Sequence, residues 1–400
     1  MSRNFCLSYF AGGGGASLGA KYLGYETLGV EFIPAIAKVY QQNIGEVVVG
    51  DVCKINPYEL EVPSPDDRRR SGDKLIWQLS PPCQEDSGIN SNGNPLSARG
   101  MILGEISWHL DIFQPDGIFL ENVPNYANSK SGVFQKFCQL LIDKNYFVEW
   151  VIVDCADFGV PTNRNRLVLR ARKREYGELP PLRKTHAKHA IEGQLNMLGE
   201  PAKAKWVSWY EAIKDLLPTL KPSKLTQKQK ESIIKKGLKV KNGSFYSTLL
   251  DTKNYNFDRT LTARTQDEPA FTVITDTKIK AILIQRFGYS KLPQIRRNNL
   301  PAWTVLAGMS DDGKPNKLGR NGIRTKFMDC LINQGSRTND IHEFLDNADV
   351  RSLNHLAIAR FQSFPDDYIW DSDDLQINNK IIGNAVPSLL SFRVLESFEF

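Results

Sequence analysis

Residues 5–32, FCLSYFAGGGGASLGAKYLGYETLGVEF, decide the fold class. An apolar run, FCLSYF, ends in a run of glycines, and the amphipathic segment ASLGAKYLG precedes a second apolar run, ETLGVEF. Strand, glycine turn, helix and strand in this order are the general form of a nucleotide-binding unit, because glycines let a ligand approach the backbone. The stretch therefore predicts an open α/β sheet with a ligand site after its first strand.

The same alternation continues to about residue 175. Further strands are predicted at EVVVGD, LIWQLS and DGIFLEN, and a later pair at FVEWVIVDC and RLVLRAR. The α/β rhythm is lost after residue 175 and returns after residue 350, where RSLNHLAIARFQSFP and NAVPSLLSFRVLESF are helical and apolar. We expect a first domain at 1–175, a second at 176–350, and a segment at 351–400 that completes the first.

Composition indicates a folded protein with a large core, since 41% of the 400 residues are hydrophobic. No run of eighteen apolar residues occurs and the amino-terminal segment lacks a signal-peptide pattern, so we expect no membrane segment and a cytoplasmic location. Six cysteines without a CxxC pair predict reduced thiols, and no cluster has metal-ligand spacing. We expect no metal site.

The net charge of +6 is distributed unevenly along the chain. Residues 172–350 contain 32 Lys and Arg against 19 Asp and Glu, a net +13, so the remaining residues, with 19 against 26, carry −7. A segregated basic segment is typical of a module that binds a polyanion, most often nucleic acid. A solvated lysine-rich surface explains the stretch 221–241 equally well.

Acidic residues follow the second and third predicted strands. Glu31 ends ETLGVE and Asp51 ends VVVGD, and ligands of open sheets collect at the carboxyl ends of strands. The dinucleotide spacing G-x-G-x-x-G fails, because counting from Gly12 its last position is Ser17. A nucleoside without phosphates fits these features, with one carboxylate for a ribose diol and one for an exocyclic amine. The alternative is that both residues cap the helices that follow.

Cys83 follows the fourth predicted strand in QLSPPCQEDSGINSNGN, residues 78–94. Two prolines end the strand and fix the approach of the next residue, and the polar, glycine-rich remainder predicts a movable loop. A cysteine in such a loop is ordinarily unreactive, but its place beside a nucleoside site favours a nucleophile. The fifth strand brings Glu121 to the same edge, and Arg164 and Arg166 share one face of a later strand.

In order, the segments FAGGGG, PPCQ, ENV, NRNR, ARFQSFPDDY and GNAVP, together with Glu31 and Asp51, closely resemble the DNA (cytosine-5)-methyltransferase family. The resemblance spans nearly the whole chain. It implies a Rossmann-like methyltransferase sheet with an inserted target-recognition domain, which corresponds to the basic segment. It also implies double-stranded DNA as substrate and a monomer, and it is compatible with a cognate restriction endonuclease in the same system.

The resemblance implies S-adenosylmethionine as cofactor. Phe10 and the glycine turn would lie on its methionine part, Glu31 on the ribose, and Asp51 with Val52 on the adenine. The full set of cofactor residues it implies is Phe10, Ala11, Gly12, Gly14, Gly15, Glu31, Phe32, Asp51, Val52, Pro82, Asn384 and Val386. The last two require the end of the chain to fold back onto the first motif.

The resemblance also implies the reaction. The thiolate of Cys83 adds to carbon 6 of a flipped-out cytosine, which makes carbon 5 nucleophilic enough to accept a methyl group. Glu121 holds and protonates the N3 edge, and Arg166, with Arg164 beside it in the same motif, stabilises charge on the O2 side. Because carbon 6 is inaccessible within a duplex, the base must leave the stack, at a cost of a few kcal/mol.

Three residues depart from the pattern of the family. Asp86 replaces an apolar residue, Thr162 replaces Gln, and Ala357 replaces Glu. A carboxylate near a thiol raises its pKa, so Asp86 bears on the activation of Cys83. Two alternatives therefore stay open: a tRNA cytosine-5 methyltransferase, which the long basic insert disfavours, and a catalytically weakened DNA-binding homologue. The failed glycine spacing argues against a nicotinamide dehydrogenase.

Overall fold

The computed structural model describes residues 3–82, 106–128, 132–190, 203–227, 230–231, 240–241, 244–245, 248–251, 263–265, 267–273, 279–283, 349–371 and 374–400. Cys83 and Asp86 lie outside these residues, so the predictions made for them stay predictions.

The chain divides into two compact units. Unit 1 comprises Met1–Ala212, Pro269–Asp276 and His355–Phe400, and unit 2 comprises Ile213–Glu268 and Thr277–Asn354. Residues 176–212, which the sequence analysis assigned to the second domain, thus belong to unit 1. Buried arginines of the sheet hold the start of this segment, since Arg170 donates to the carbonyl of Pro180 at 2.8 Å and Arg172 to that of Glu178 at 3.1 Å.

The strands of unit 1 are β1 Phe5–Tyr9, β2 Glu26–Glu31, β3 Glu46–Val49, β4 Leu75–Leu79, β5 Gly117–Asn122, β6 Tyr146–Asp154, β7 Asn165–Lys173, β8 His186–Ala187 and β9 Ala204–Lys205. The first seven form one sheet in the order β3-β2-β1-β4-β5-β7-β6. Within this sheet only β7 is reversed, because it pairs antiparallel with both β5 and β6. The chain changes direction across the sheet between β1 and β4, which is where open α/β sheets bind ligands.

The helices of unit 1 are α1 Gly15–Tyr22, α2 Pro34–Asn43, α3 Pro65–Ser71, α4 His109–Phe113, α5 Val133–Asp143, α6 Trp209–Ile213 (whose last residue belongs to unit 2), α7 His355–Arg360, α8 Leu375–Asn384 and α9 Ser388–Glu396. Alternate residues of the central strands enter two separate cores. Leu120 packs in the core that contains α4 and α5, whereas Phe119 packs in the core that contains α1 and α9. Helices therefore cover both faces of the sheet, and the α/β prediction is confirmed.

The central strands form because their side chains are apolar on both faces. Every residue of β1 and of β4 is buried, which is the pattern of parallel strands covered on two sides. The helix α5 is amphipathic instead, with Val133, Phe134, Phe137 and Leu141 buried at helical spacing. The helix α3 begins at Pro65 after a Ser64 cap and ends at Gly72 in the left-handed region.

The segment after residue 385 packs directly on the first helix. The Ser391 hydroxyl donates to the Ala16 carbonyl at 2.7 Å, and the Gln78 amide donates to the same carbonyl at 3.0 Å and to Ser391 at 2.8 Å. A Cβ on Gly19 would stand 2.5 Å from the Phe392 nitrogen, so only glycine permits this approach. The last described helix thus completes unit 1.

Unit 2 contributes β10 Pro222–Ser223, β11 Val240–Lys241, β12 Ser244–Phe245, β13 Thr248–Asp251, β14 Ala263–Thr265, β15 Ile279–Leu283 and β16 Asp349–Ser352. Five of them form a second sheet in the order β10-β16-β15-β13-β14, and β11 pairs with β12. The pairs in this second sheet are antiparallel. Across the described ranges of both units, none of the helices has the length and apolar character needed to cross a bilayer.

Candidate active site

The carboxyl edge of the seven-stranded sheet collects the candidate residues. Phe10 follows β1, Glu31 ends β2, and Glu121 lies at the end of β5. Because β7 runs in the opposite direction, its beginning rather than its end reaches this edge. Arg166, the second residue of β7, therefore lies beside Glu121, although 45 positions separate them in the sequence.

The glycine turn after β1 has a backbone that ordinary residues avoid. Gly12 and Gly14 have φ of 54° and 87°, and Phe10 has 58°. A Cβ on Gly12 would meet nothing within 4 Å, so open space borders the turn on that side. A Cβ on Gly15 would stand 2.6 Å from the Val386 carbonyl oxygen, so the turn is pressed against the returning chain on its other side.

Glu31 is buried and organises this turn. Its carboxylate accepts from the Gly12 amide at 2.9 Å and from the Ile33 amide at 2.8 Å. The second contact reaches the residue before α2, a helix that has no side-chain cap, and the first fixes the glycine turn. Each carboxylate oxygen has further lone pairs for hydroxyl donors. Phe32, the next residue, is 69% exposed, an unusual exposure for a large apolar side chain.

Asp51 lies in a turn after β3 and is not followed directly by a helix. Its carboxylate accepts from the Cys53 amide at 3.1 Å, its side chain is 38% exposed, and Val52 beside it is buried. A partly exposed carboxylate and a buried carboxylate with spare lone pairs can accept from the amine and hydroxyl groups of an adenosine, and an exposed phenyl ring can cover its base. The residues present thus fit a nucleoside-containing cofactor.

The FPDDY segment contacts the glycine turn from the other side. The Tyr368 hydroxyl donates to the Gly13 carbonyl, and a Cβ on Gly13 would stand 2.4 Å from Ile381. Asn43 of α2 donates to the Ile369 carbonyl and accepts from its amide, at 2.8 and 2.7 Å. Sequence reasoning gave Tyr368 and Asn43 no role, because a contact across 355 positions has no local signal.

Glu121 and Arg166 form a buried pair. The Nε atom of Arg166 lies 2.7 Å from Oε1 of Glu121, and the two side chains are 10% and 8% exposed. Burial raises the pKa of Glu121, and the guanidinium groups of Arg166 and Arg164 offset only part of that rise. A carboxyl group with a raised pKa beside a fixed cation can donate a proton and stabilise charge at one place.

The side chain of Arg164 binds backbone rather than facing Glu121 directly. It donates to the carbonyls of Val273, Gly383 and Ala385, at 2.9, 3.1 and 3.2 Å. The sequence analysis grouped it with the catalytic residues because it shares a strand face with Arg166. Arg164 instead precedes β7 by one residue and links two distant segments of unit 1 to the active edge. The geometry supports a positioning role.

Thr162 and Asn163 extend this contact. The Thr162 hydroxyl lies 3.1 and 2.9 Å from the carbonyls of Ala270 and Phe271, and the Asn163 amide donates to Ala270 at 2.8 Å. Together with Arg164 they form a clasp, residues 162–164, around the segment 270–273. This segment belongs to unit 1, although the residues before and after it in the sequence belong to unit 2. Thr162, one of the three departures, therefore has a definite structural place.

Pro82 and Asn384 are two further predicted positions, and Asn122 contacts the chain just before Pro82. Asn122 donates to the Pro81 carbonyl at 3.1 Å, which ties the end of β5 to the chain two residues before Cys83. Pro82 is exposed, and Asn384 is exposed beside the buried Val386. Ala357, another departure, is fully buried in α7, where no charged side chain would fit without a partner.

A comparison with protein families identifies the whole arrangement. The family model for C-5 cytosine-specific DNA methylases matches residues 5–399. The chain belongs to this family. The match includes both units and the clasp between residues 162 and 273.

Individual relatives in this family are distant. A type II methyltransferase of Bacillus subtilis is 28% identical over 177 residues, which cover 41% of this chain and 42% of that protein. The aligned part is therefore less than half the length of that relative. A putative type II methyltransferase of Oceanobacillus iheyensis is 24% identical, and its alignment covers 98% of this chain and 95% of that one.

Solved structures share the fold. A methyltransferase of Entamoeba histolytica, EhMeth, matches with a TM-score of 0.54 and 15% identity, covering 100% of this chain and 98% of its own. A putative DNA modification methyltransferase encoded within a prophage of Escherichia coli gives a TM-score of 0.54 with 16% identity, covering 99% and 98%. The methylase-type Rossmann-like sheet predicted from the sequence is thereby confirmed.

Proposed function

We propose that the protein is a DNA (cytosine-5)-methyltransferase that methylates carbon 5 of a flipped-out cytosine in duplex DNA. The observation that carries the proposal is the buried Glu121–Arg166 pair at the carboxyl edge, next to the chain that leads into Cys83. Family membership and the type II relatives support the same reaction. Unit 2 contains 25 Lys and Arg against 13 Asp and Glu, a net +12, which supports it as the element that reads the target sequence.

The proposed cofactor is S-adenosylmethionine, which supplies the methyl group as an electrophilic sulfonium when bound. Glu31 would accept from the ribose hydroxyls, Asp51 would lie on the adenine edge, and Phe32 would cover the base. The open side of Gly12 would admit the methionine part. Tyr368 and the Val386 carbonyl would hold the glycine turn in its binding shape.

The chain's own residues would carry the base chemistry. The Cys83 thiolate would form a bond to carbon 6 while Glu121 donates a proton to N3, so that electron density is pushed toward carbon 5. Arg166, held at 2.7 Å from Glu121, would bind the O2 side of the ring and keep the acid in place. After methylation, a solvent water would take the carbon 5 proton, the bond between carbon 6 and Cys83 would break to release the thiolate, and N3 would return its proton to Glu121, which restores the aromatic ring.

Mechanism-based trapping tests this proposal. Duplex DNA containing 5-fluorocytosine cannot lose its carbon 5 substituent, so with S-adenosylmethionine the wild-type protein is expected to form a covalent adduct that survives denaturing electrophoresis. Cys83→Ser should form none. Cys138→Ser, which changes a half-buried thiol on α5, is the matched control and should react as the wild type does.

Three outcomes separate the alternatives. An adduct with duplex DNA supports the proposal, whereas an adduct with 5-fluorocytosine tRNA alone would make the protein a tRNA methyltransferase. A folded protein that binds cofactor and DNA and traps neither substrate would be a weakened DNA-binding homologue. Bisulfite sequencing of DNA from expressing cells would then give the target sequence.

The proposal extends to partners and location. We propose a monomer that acts on DNA in the cytoplasm or nucleoid, and the type II designation of the relatives supports a cognate restriction endonuclease. Light scattering of the purified protein checks the monomer. Loss of plasmid cleavage in extracts after the target site is methylated checks for the endonuclease.

A further inference from the structure

A short two-stranded ladder of unit 1 lies apart from the site described above. The strands β8 and β9 pair in parallel, His186 with Ala204 and Ala187 with Lys205. The Ala204 amide donates to the Thr185 carbonyl at 2.9 Å, and the Trp206 amide donates to that of Ala187 at 3.2 Å. We call residues 183–190 and 203–206 the basic ladder.

The basic ladder is anchored to one aspartate. Asp157 accepts from the indole nitrogen of Trp206 at 2.9 Å, lies 2.8 Å from the Lys184 ammonium, and accepts the Thr185 amide at its own carbonyl at 3.0 Å. Asp157 belongs to the turn Cys155–Phe158, which follows the end of β6. Since β6 runs parallel to β5, this turn lies at the same edge of the sheet as Glu121.

The basic ladder has an excess of exposed positive charge. Its two segments contain five Lys and Arg and no Asp or Glu. Lys184 is paired with Asp157, and the other four, Arg183, Lys188, Lys203 and Lys205, are exposed. Within the described ranges, none of these four side chains has a carboxylate in ion-pair distance.

Exposed cations at the opposite edge behave differently. Arg3, just before β1, pairs with Glu26 at 3.0 Å. Arg69 and Arg70, at the end of α3 and just before β4, pair with Asp66 and Asp67 at 3.4 and 2.6 Å. These three arginines thus have carboxylate partners within the chain, whereas the four exposed cations of the basic ladder have none among the described residues.

We propose that the basic ladder binds the sugar–phosphate backbone of the DNA substrate. Lysine and arginine bind phosphates by displacing condensed counterions, which adds affinity without reading sequence. These contacts come from unit 1 itself and supplement those of unit 2. The inference rests on the proposed function, since it requires duplex DNA at the edge that contains Glu121.

The salt dependence of DNA affinity tests the inference. The variant Lys188→Gln with Lys205→Gln removes two charges, so the slope of log affinity against log salt should become shallower by about 1.8, at roughly 0.9 per phosphate contact. The same relation predicts a loss of about 60-fold at 0.1 M salt and little loss at 1 M. Fluorescence anisotropy with a labelled duplex measures both.

A matched control removes two charges from the amino edge. Arg69→Gln with Arg70→Gln should leave the slope at the wild-type value. A second ladder variant, Arg183→Gln with Lys203→Gln, should give the same change of slope as the first. If circular dichroism shows that one of the two variants folds poorly, the other one provides the test.

The outcomes are distinguishable from failure of the proposed function. If the wild-type protein traps 5-fluorocytosine DNA but the ladder variants have the wild-type slope of log affinity against log salt, the inference about the basic ladder is wrong. The proposed methyltransferase function is then unaffected. Equal slope changes in ladder and control variants also overturn it, because the effect would then reflect net charge. A wild-type protein that traps no DNA, or binds only RNA, overturns both.

Discussion

Replacement of Arg164 tests how two segments of unit 1, around residues 273 and 384, are held at the carboxyl edge of the large sheet. Its guanidinium donates to three backbone carbonyls, those of Val273, Gly383 and Ala385. The last two precede Val386, whose carbonyl presses against Gly15 of the cofactor turn. Arg164→Met should therefore weaken both the fold of unit 1 and the binding of cofactor.

The size of the effect follows from these contacts. Hydrogen bonds to a charged group contribute roughly 1.5–3 kcal/mol each, so three such bonds set an upper range of about 5–9 kcal/mol. Methionine fills similar volume and removes the cost of burying a charge, which offsets several kcal/mol. We expect a net loss of about 3 kcal/mol in the free energy of unfolding. Arg164→Lys should not restore it, because an ammonium group lacks the planar fork that reaches three carbonyls.

Two measurements check this prediction. Urea unfolding, with hydrogen exchange of β7 amides to assign the transition to unit 1, gives the stability. Calorimetric titration with S-adenosylhomocysteine should show at least a tenfold weaker Kd, equivalent to about 1.4 kcal/mol. Arg393→Met, which removes a more exposed arginine from α9, is the control. If Arg164→Met unfolds and binds as the control does, the positioning role is refuted.

Further substitutions test other parts of the site. Thr162→Val removes the hydroxyl that bonds segment 270–273 and should cost about 1 kcal/mol of unfolding free energy, with Thr162→Ser restoring it; equal stability of all three in urea would contradict this. Gly15→Ala should abolish binding of S-adenosylhomocysteine in titration, because its Cβ would stand 2.6 Å from a backbone oxygen; unchanged binding would show that the returning chain moves aside. Glu121→Gln should lower single-turnover methylation about 10²- to 10⁴-fold and remove its decline at high pH, since the raised pKa makes Glu121 an acid that is lost as pH rises through that value. In the same pH range the wild type should lose unfolding free energy relative to Glu121→Gln. A raised carboxyl pKa stabilises the fold below the ordinary glutamate pKa, and this contribution is lost as pH rises through the raised value. Parallel curves of unfolding free energy against pH for the two proteins would argue against the burial effect.

The sheet could be predicted because each central strand is apolar by itself. All seven strands of the large sheet overlap the runs read from the sequence; the first five lie within them, and β6 and β7 extend past theirs by one or two residues. Unit 2 gave no comparable signal, since its described strands are short and antiparallel. The boundary near residue 175 was placed by charge and rhythm, whereas the contacts of Arg170 with Pro180 carry unit 1 beyond that point.

The sequence predicted only some of the residues that meet at the carboxyl edge of the large sheet. Glu31 and Glu121 follow strands whose direction can be inferred, so their shared edge follows from parallel pairing. The reversal of β7 cannot be read from its sequence, and it alone brings Arg166 to Glu121. Equally, nothing local distinguishes Arg164, whose partners lie more than 100 positions away, from Arg166 on the same strand face.

The packing of α9 on α1 has a consequence for synthesis of the protein. Ala16 and Gly19 precede unit 2 in the chain, but their partners Ser391 and Phe392 follow it and are translated only after it. During translation, α1 and the glycine turn before it therefore remain without the packing of α9 while more than 350 residues are added to the chain. A chain interrupted within unit 2 should therefore leave the surface of α1 that packs on α9 exposed to water, so unit 1 should complete its fold only after unit 2 has emerged.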